Sequence, residues 1–181
     1  MNDFLKTVQE RVVIYDGAMG SLIQTRNLTA DDFWGKEGCN ELLVLSRPDV
    51  IRDIHAAYFD ACADVVETDT FGATRIVLAE YDLQDKVHEI NRAAARIAKE
   101  VAAQFSDGRK RYVSGSIGPT TKLPSLGHIG FDAMAAGFEE QALGLIDGGV
   151  DVLLIETSQD ILQAKAAVVG VIEAMKKSGK R

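Results

Sequence analysis

Residues 150–157 read VDVLLIET, in which the apolar run at 152–155 is followed by Glu156 and Thr157. Residues 63–68 read ADVVET and repeat the same order: an aspartate, apolar residues and a closing Glu-Thr pair. Short apolar runs of this kind are typical of strands buried on both faces of a parallel sheet. Because one strand pattern occurs twice, the sequence indicates a barrel or a doubly wound sheet built from stacked βα units.

Two further apolar runs extend the pattern. Residues 12–15 (VVIY) end at Asp16, and Tyr112-Val113 leads to Ser114 and Ser116. The four runs begin at positions 12, 65, 112 and 152, and a helical stretch follows each of them. We therefore predict an α/β fold with about four parallel βα units. Eight such units make a closed barrel of typically ~250 residues. A flavodoxin-like sheet with an unrelated activity is the alternative architecture.

The helical stretches carry apolar residues at steps of three and four. Pro48 suits the first position of one helix, and Ile51, Ile54 and Cys62 fall on its predicted buried stripe. Cys62 is accordingly expected to be a core thiol. Another helix is predicted to begin near Asp160. Its predicted buried residues are Ile161, Ala164, Val168, Ile172 and Met175.

The composition limits the classes of partner. A net charge of −7 argues against nucleic acid and anionic membranes, which would be repelled. No apolar stretch approaches the roughly 20 residues that span a bilayer, and no signal-peptide core begins the chain, so a cytoplasmic protein is expected. Cys39 and Cys62 are too few for a metal cage and lack the spacing of a disulfide framework, so reduced thiols are expected.

Acidic residues follow three of the predicted strands. Asp16, Asp69 and Glu156 end apolar runs, and parallel βα folds bind ligands at the carboxyl ends of their strands. Together they predict a negatively charged rim suited to a substrate amine. The loop at 16–20 (DGAMG) lacks the G-x-G-x-x-G pattern, which argues against a dinucleotide enzyme.

Four motifs resemble the signatures of one family. They are DGAMG at 16–20, ETDTF at 67–71, GSIGPT at 115–120 and residues 151–160. They are similar to those of the homocysteine S-methyltransferases, in particular the homocysteine-binding barrel of cobalamin-dependent methionine synthase. The resemblance runs from about Val12 to Lys177 in family order. It implies the N-terminal half, about four βα units, of a (β/α)8 TIM barrel.

The resemblance also implies a reaction, in which a methyl group is transferred to the sulfur of L-homocysteine to give methionine. In the family a zinc ion held by three cysteines binds the homocysteine sulfur as a thiolate. Those cysteines would lie beyond Arg181, so no catalytic or metal-binding residue is expected in this chain. Methylcobalamin on a separate domain is the expected methyl donor. The implied substrate-binding residues are Asp16, Gly17, Met19, Asp69, Thr70 and Glu156.

Two functional hypotheses follow for residues 1–181, taken as a partial homocysteine-binding barrel that ends before the zinc cysteines. In the first, the chain is the amino-acid-binding part of a zinc methyltransferase. In the second, it is a non-catalytic half-barrel that binds or assembles with a partner chain. The expected partners are L-homocysteine and either the remaining half of the barrel or a second copy, because unpaired strand edges favour association.

Overall fold

The computed structural model describes residues 3–105 and 107–180. Within these residues, three parallel strands form one sheet in the order β1-β2-β3. The strands are β1 (Val65–Glu67), β2 (Tyr112–Ile117) and β3 (Val152–Ile155). The α-helices are α1 (Asp3–Glu10), α2 (Met19–Gln24), α3 (Leu43–Ser46), α4 (Pro48–Asp60), α5 (Arg75–Leu78), α6 (Val87–Ala102), α7 (Phe131–Gly148) and α8 (Ile161–Ser178). No helix in this part of the chain is long and apolar enough to cross a membrane.

The sheet is parallel throughout, which confirms the predicted α/β class. Val65 lies opposite Tyr112, and Ser114 lies opposite Val152. Helices α5 and α6 follow β1, α7 follows β2 and α8 follows β3. This alternation brings the carboxyl ends of all three strands to one end of the sheet.

The first predicted strand is not formed as a strand. Tyr15 makes a single parallel bridge to Val65, and Asp16 N donates a hydrogen bond of 2.9 Å to Val65 O. Val12 is 82% exposed and Ile14 is 57% exposed. Among the described residues, residues 12–15 pair with β1 on one side only, and Val12 and Ile14 are exposed while Val13 and Tyr15 are half-buried. The structure therefore contains three strands and a bridge, in place of the four complete βα units.

Cys62 does not belong to the core. Helix α4 ends at Asp60, and Cys62 follows with a φ of 73° and an exposed side chain. The prediction of a core thiol was wrong because the helical repeat was extended two residues too far. Cys39, in the loop before α3, is instead the buried cysteine.

The buried face of α8 also differs from the predicted one. The helix packs closely against α7, since a Cβ at Gly170 would lie 2.4 Å from Ala135 O. Small residues therefore make this contact, and the larger aliphatic ones are turned away from it. The residues buried on α8 are Gln163, Ala166, Ala167, Gly170, Val171 and Ala174. Its exposed apolar residues, here termed the α8 apolar face, are Ile161, Leu162, Val168, Val169 and Ile172.

A buried aspartate joins the N-terminal segment to the amino end of β1. Asp64 has a side chain only 1% exposed, and Arg11 donates two hydrogen bonds to it, at 2.8 and 2.9 Å. Ile14 N and Arg109 Nη2 also donate to this carboxylate, at 3.0 and 3.2 Å. The hydrogen bonds from Arg11 are the main cause that lowers the pKa of Asp64 to about 2.

Replacing this carboxylate tests its structural role. We expect Asp64→Asn to lower the free energy of unfolding near pH 7 by about 2 kcal/mol, because the arginines and Ile14 N lose their acceptor. The pKa of Asp64 is lower in the folded chain, so the wild-type advantage is present above about pH 4 and disappears as the pH falls toward 2. Urea unfolding at several pH values measures it. The exposed Asp31→Asn is the control, and an advantage that persists at pH 2 would contradict the assignment.

Candidate functional site

A cavity of about 430 Å³ lies at the carboxyl ends of the strands. Five carboxyl groups line it: Asp16, Glu41, Glu67, Asp69 and Glu156. None of its described lining residues is a lysine, arginine or histidine. The remaining lining residues are Gly17, Ala18, Met19, Gly20, Asn40, Thr68, Phe71 and Ser116.

Asp16 is fixed by the neighbouring strand. Its Oδ2 accepts a hydrogen bond of 3.0 Å from Glu67 N. The loop that follows is held from the other side, because the Tyr58 hydroxyl donates to Ala18 O at 3.1 Å. A Cβ at Gly17 would lie 3.0 Å from the same hydroxyl, so the glycine allows this close approach.

Glu156 stands opposite, at the end of β3. Its backbone N donates to Ile117 O at 3.1 Å, which continues the ladder by one residue beyond the strand. The Ser116 hydroxyl donates to Glu156 Oε1 at 2.6 Å, so β2 orients the carboxylate of the neighbouring strand. The next residue, Thr157, has a φ of 54°, in the left-handed region.

Two acidic groups of the cavity, Asp16 and Glu67, have raised pKa values. Burial is the main cause that raises the pKa of Asp16 to about 7, and the negative charges of Glu67 and Glu156 add to it. The pKa of Glu67 is also raised, by burial and then by Glu156. Like charges in a partly desolvated cavity without a protein cation favour a cationic ligand or bound protons.

Behind this cavity, a buried hydroxyl network joins β1 to β2. Thr70 is fully buried, and its hydroxyl donates to Ser116 O at 2.8 Å. The hydroxyls of Thr68 and Thr70 are 2.6 Å apart, and Gln141 Nε2 of α7 donates to Thr70 O at 2.8 Å. Thr70 is therefore buried and does not line the cavity. The other predicted substrate-binding residues do line it: Asp16, Gly17, Met19, Asp69 and Glu156.

The structure adds two acidic residues to those singled out in the sequence. Glu67 occupies in ADVVET the place that Glu156 occupies in VDVLLIET, so the internal repeat carried the signal for it. Glu41 carried no such signal, because it lies in the 3-10 turn Asn40–Leu42 and follows no strand. Its Oε1 reaches across to accept a hydrogen bond of 2.6 Å from Gly72 N.

Comparison with known proteins identifies the family. The profile described as Homocysteine S-methyltransferase matches residues 13–179. Methionine synthase of Mycobacterium tuberculosis (strain H37Rv) is 49% identical over 179 residues, which is 98% of this chain and 15% of that protein. Methionine synthase of Mycobacterium leprae shares the same identity and coverage. The chain belongs to the homocysteine S-methyltransferase family. The resemblance inferred from the motifs is confirmed.

A solved homocysteine methyltransferase supports the fold. The metallated form of MmuM from Escherichia coli superposes with a TM-score of 0.75 at 21% sequence identity. The match covers 97% of this chain and 62% of that one. At this identity the likeness concerns the fold alone. The chain spans 15% of the length of the methionine synthases it matches and less than two thirds of MmuM.

The described residues do not fit the zinc site that the homocysteine S-methyltransferase family implies. Cys39 is buried beside the cavity, and its thiol donates to Glu41 Oε2 at 3.8 Å. Cys62 lies at the amino end of β1, where its backbone oxygen accepts a hydrogen bond from Arg109. In residues 3–105 and 107–180, no three His, Cys, Asp or Glu side chains are grouped to hold a metal. No chemical step at zinc is therefore derived from these residues.

Proposed function

We propose that the cavity binds L-homocysteine and that the chain supplies the amino-acid-binding part of a homocysteine S-methyltransferase that forms methionine. The observation that carries the proposal is the group of five carboxyl groups at the carboxyl ends of parallel strands, with no lysine, arginine or histidine among the described lining residues. Membership of the family supplies the reaction class. Residues 1–181 are in this proposal a partial homocysteine-binding barrel.

The chain's own contribution is binding and orientation. Asp16 and Glu156 face the same cavity, and the charge of Glu156 acts on Asp16. An ammonium group between them would offset one of the two negative charges, attract both carboxylates and favour release of the proton that Asp16 otherwise holds near neutral pH. Glu67 adds a third negative charge, and Met19 and Phe71 supply apolar contact for the side chain of the amino acid.

The cofactors belong to the complete enzyme. The family resemblance implies zinc for activating the homocysteine sulfur and methylcobalamin, on a separate domain, as the methyl donor. The similarity to methionine synthases over 98% of this chain supports this assignment. Both would involve residues other than those described here, and the net charge of −7 does not favour a nucleic-acid or membrane partner. A cytoplasmic location is part of the same proposal.

Substitution at Glu156 tests the binding role. We expect Glu156→Gln to weaken L-homocysteine binding about tenfold or more, because the amide keeps the Ser116 contact but loses the charge that attracts the ammonium group. Titration calorimetry under reducing conditions measures the dissociation constant. Glu89→Gln, on the exposed face of α6, is the matched control and should bind as the wild type does. Equal binding by Glu156→Gln would refute the assigned role.

The structure also supports an assembly role. One edge of β3 has no strand beside it among the described residues, and its four residues are only half-buried. Next to that edge lies an apolar cleft of about 520 Å³, whose lining includes Leu5, Leu153 and Val171. Val171 and Met175 of α8 line this cleft, and the α8 apolar face is exposed on the same helix. We propose that further βα units of a homocysteine S-methyltransferase barrel cover this surface, on the same polypeptide or on another chain.

Exposed edges of this kind predict self-association of the 181-residue chain by itself. We expect sedimentation to show oligomers, and co-expression with a segment carrying the remaining βα units of such a barrel to give a one-to-one complex. Ile172→Asp should weaken that complex, because it places a charge on the α8 apolar face, whereas the exposed Lys165→Asp should not. A cooperatively unfolding monomer that does not bind the second segment would contradict the proposal. A defined dimer of the 181-residue chain would favour a second copy as the partner.

A further inference from the structure

Asp69 occupies an unusual position in the cavity wall. The residue is only 6% exposed, and its Oδ2 is enclosed without a hydrogen-bond partner among the described residues. Enclosed carboxylate oxygens without a donor are costly, because the charge has lost its hydration and gained nothing in return. The same residue lines the cavity.

The neighbour of Asp69 is another acid that is better supported in its ionised form. Glu41 Oε1 accepts a hydrogen bond from Gly72 N, and Glu41 Oε2 accepts one from Cys39 Sγ. Donors to both oxygens stabilise a carboxylate on Glu41. If only one of the two acids is protonated, the donors on Glu41 place the proton on Asp69, for which the described residues offer no donor.

The thiol beside this pair remains a donor. Burial is the main cause that raises the pKa of Cys39 to about 12, and the charge of Glu41 adds to it. The pKa of Asp69 is itself raised well above its ordinary value, first by burial and then by the charge of Glu41. Burial raises the pKa of Glu41 too, but the hydrogen bonds from Gly72 N and Cys39 oppose that rise, and no such donor opposes it at Asp69 among the described residues.

The acids of the cavity fall into two groups. The charges that act on Asp16 are those of Glu67 and Glu156, whereas the charge that acts on Asp69 is that of Glu41. The first group suits the ammonium end of an amino acid. A second group made of one carboxylate and one carboxylic acid offers something different, because the acid carries a hydroxyl that donates hydrogen bonds.

We propose that Asp69 acts as a neutral carboxylic acid that donates a hydrogen bond to the α-carboxylate of the bound amino acid. The inference rests on the proposed function and deepens it, since it assigns the two ends of the zwitterion to two sides of one cavity. The titratable groups around Asp69 are Cys39 and Glu41 from the segment before α3. Asp16, Glu67 and Glu156 line the same cavity. The residue of α7 that contacts this segment is the neutral Gln141, which donates to Thr70 O, one residue after Asp69.

Two substitutions of similar size separate the roles of charge and hydrogen bond. Asp69→Asn keeps a neutral donor, and we expect it to bind L-homocysteine within about threefold of the wild type. Asp69→Leu removes the donor, and we expect binding about tenfold weaker, measured by calorimetry near pH 7. Asp16→Asn is the contrasting control, because an amide there should not replace a carboxylate that binds ammonium.

Carbon NMR of the carboxyl groups, with the Asp69 signal assigned from its loss in Asp69→Asn, reads the protonation state without a ligand. A neutral carboxyl near pH 7 is expected. An ionised Asp69, or Asp69→Asn binding as weakly as Asp69→Leu, would overturn the inference. A wild-type chain that binds no L-homocysteine would refute the proposed function, whereas binding together with an ionised Asp69 would refute only this inference.

Discussion

The parallel register of the three strands is the constraint on which the site depends. Because Glu67 pairs with Ser114 and Ile117 pairs with Ile155, the residues that follow these strands meet at one end of the sheet. β3 is wholly apolar and β1 is apolar up to Glu67, so their acidic residues lie at or just beyond the carboxyl ends of the strands. An acid placed there is partly removed from water by the neighbouring strand and loop.

Acidic residues near the two ends of β1 have pKa values that are shifted in opposite directions. At the amino end, Asp64 is met by Arg11 and Arg109, and its pKa falls to about 2. At the carboxyl end, Asp16 shares a cavity with further acids, and its pKa rises to about 7. The chain supplies the counter-charge in one case and not in the other. This contrast is the physical basis for placing an external cation, the ammonium group of an amino acid, in the cavity.

Much of this arrangement follows from the sequence, because strand patterns and acidic tips are local signals. The repeat of ADVVET and VDVLLIET located β1 and β3, and the motifs indicated the homocysteine S-methyltransferase family. The composition of residues 12–15 could not show whether they form a strand, because an apolar run becomes a strand only when neighbouring strands pair with it. The same holds for α8, whose buried face is set by close packing on α7 rather than by its largest residues.

Glu41 and the neutral character proposed for Asp69 were beyond sequence reasoning for a different reason. Both depend on contacts between segments about 30 residues apart in the chain, such as the hydrogen bond from Gly72 N to Glu41. The local sequence pattern predicts which residue ends a strand. It does not predict which hydrogen-bond donors contact that residue in the folded chain, and those donors determine whether the residue is ionised.

The central claim is that the cavity recognises the ammonium group of L-homocysteine. The most direct test compares binding of L-homocysteine with that of N-acetyl-L-homocysteine, which keeps the thiol and the carboxylate but has no positive charge. The account predicts that acetylation weakens binding by about a hundredfold, as expected when an ion pair in a desolvated site is lost. Equal affinity for the two compounds would contradict it.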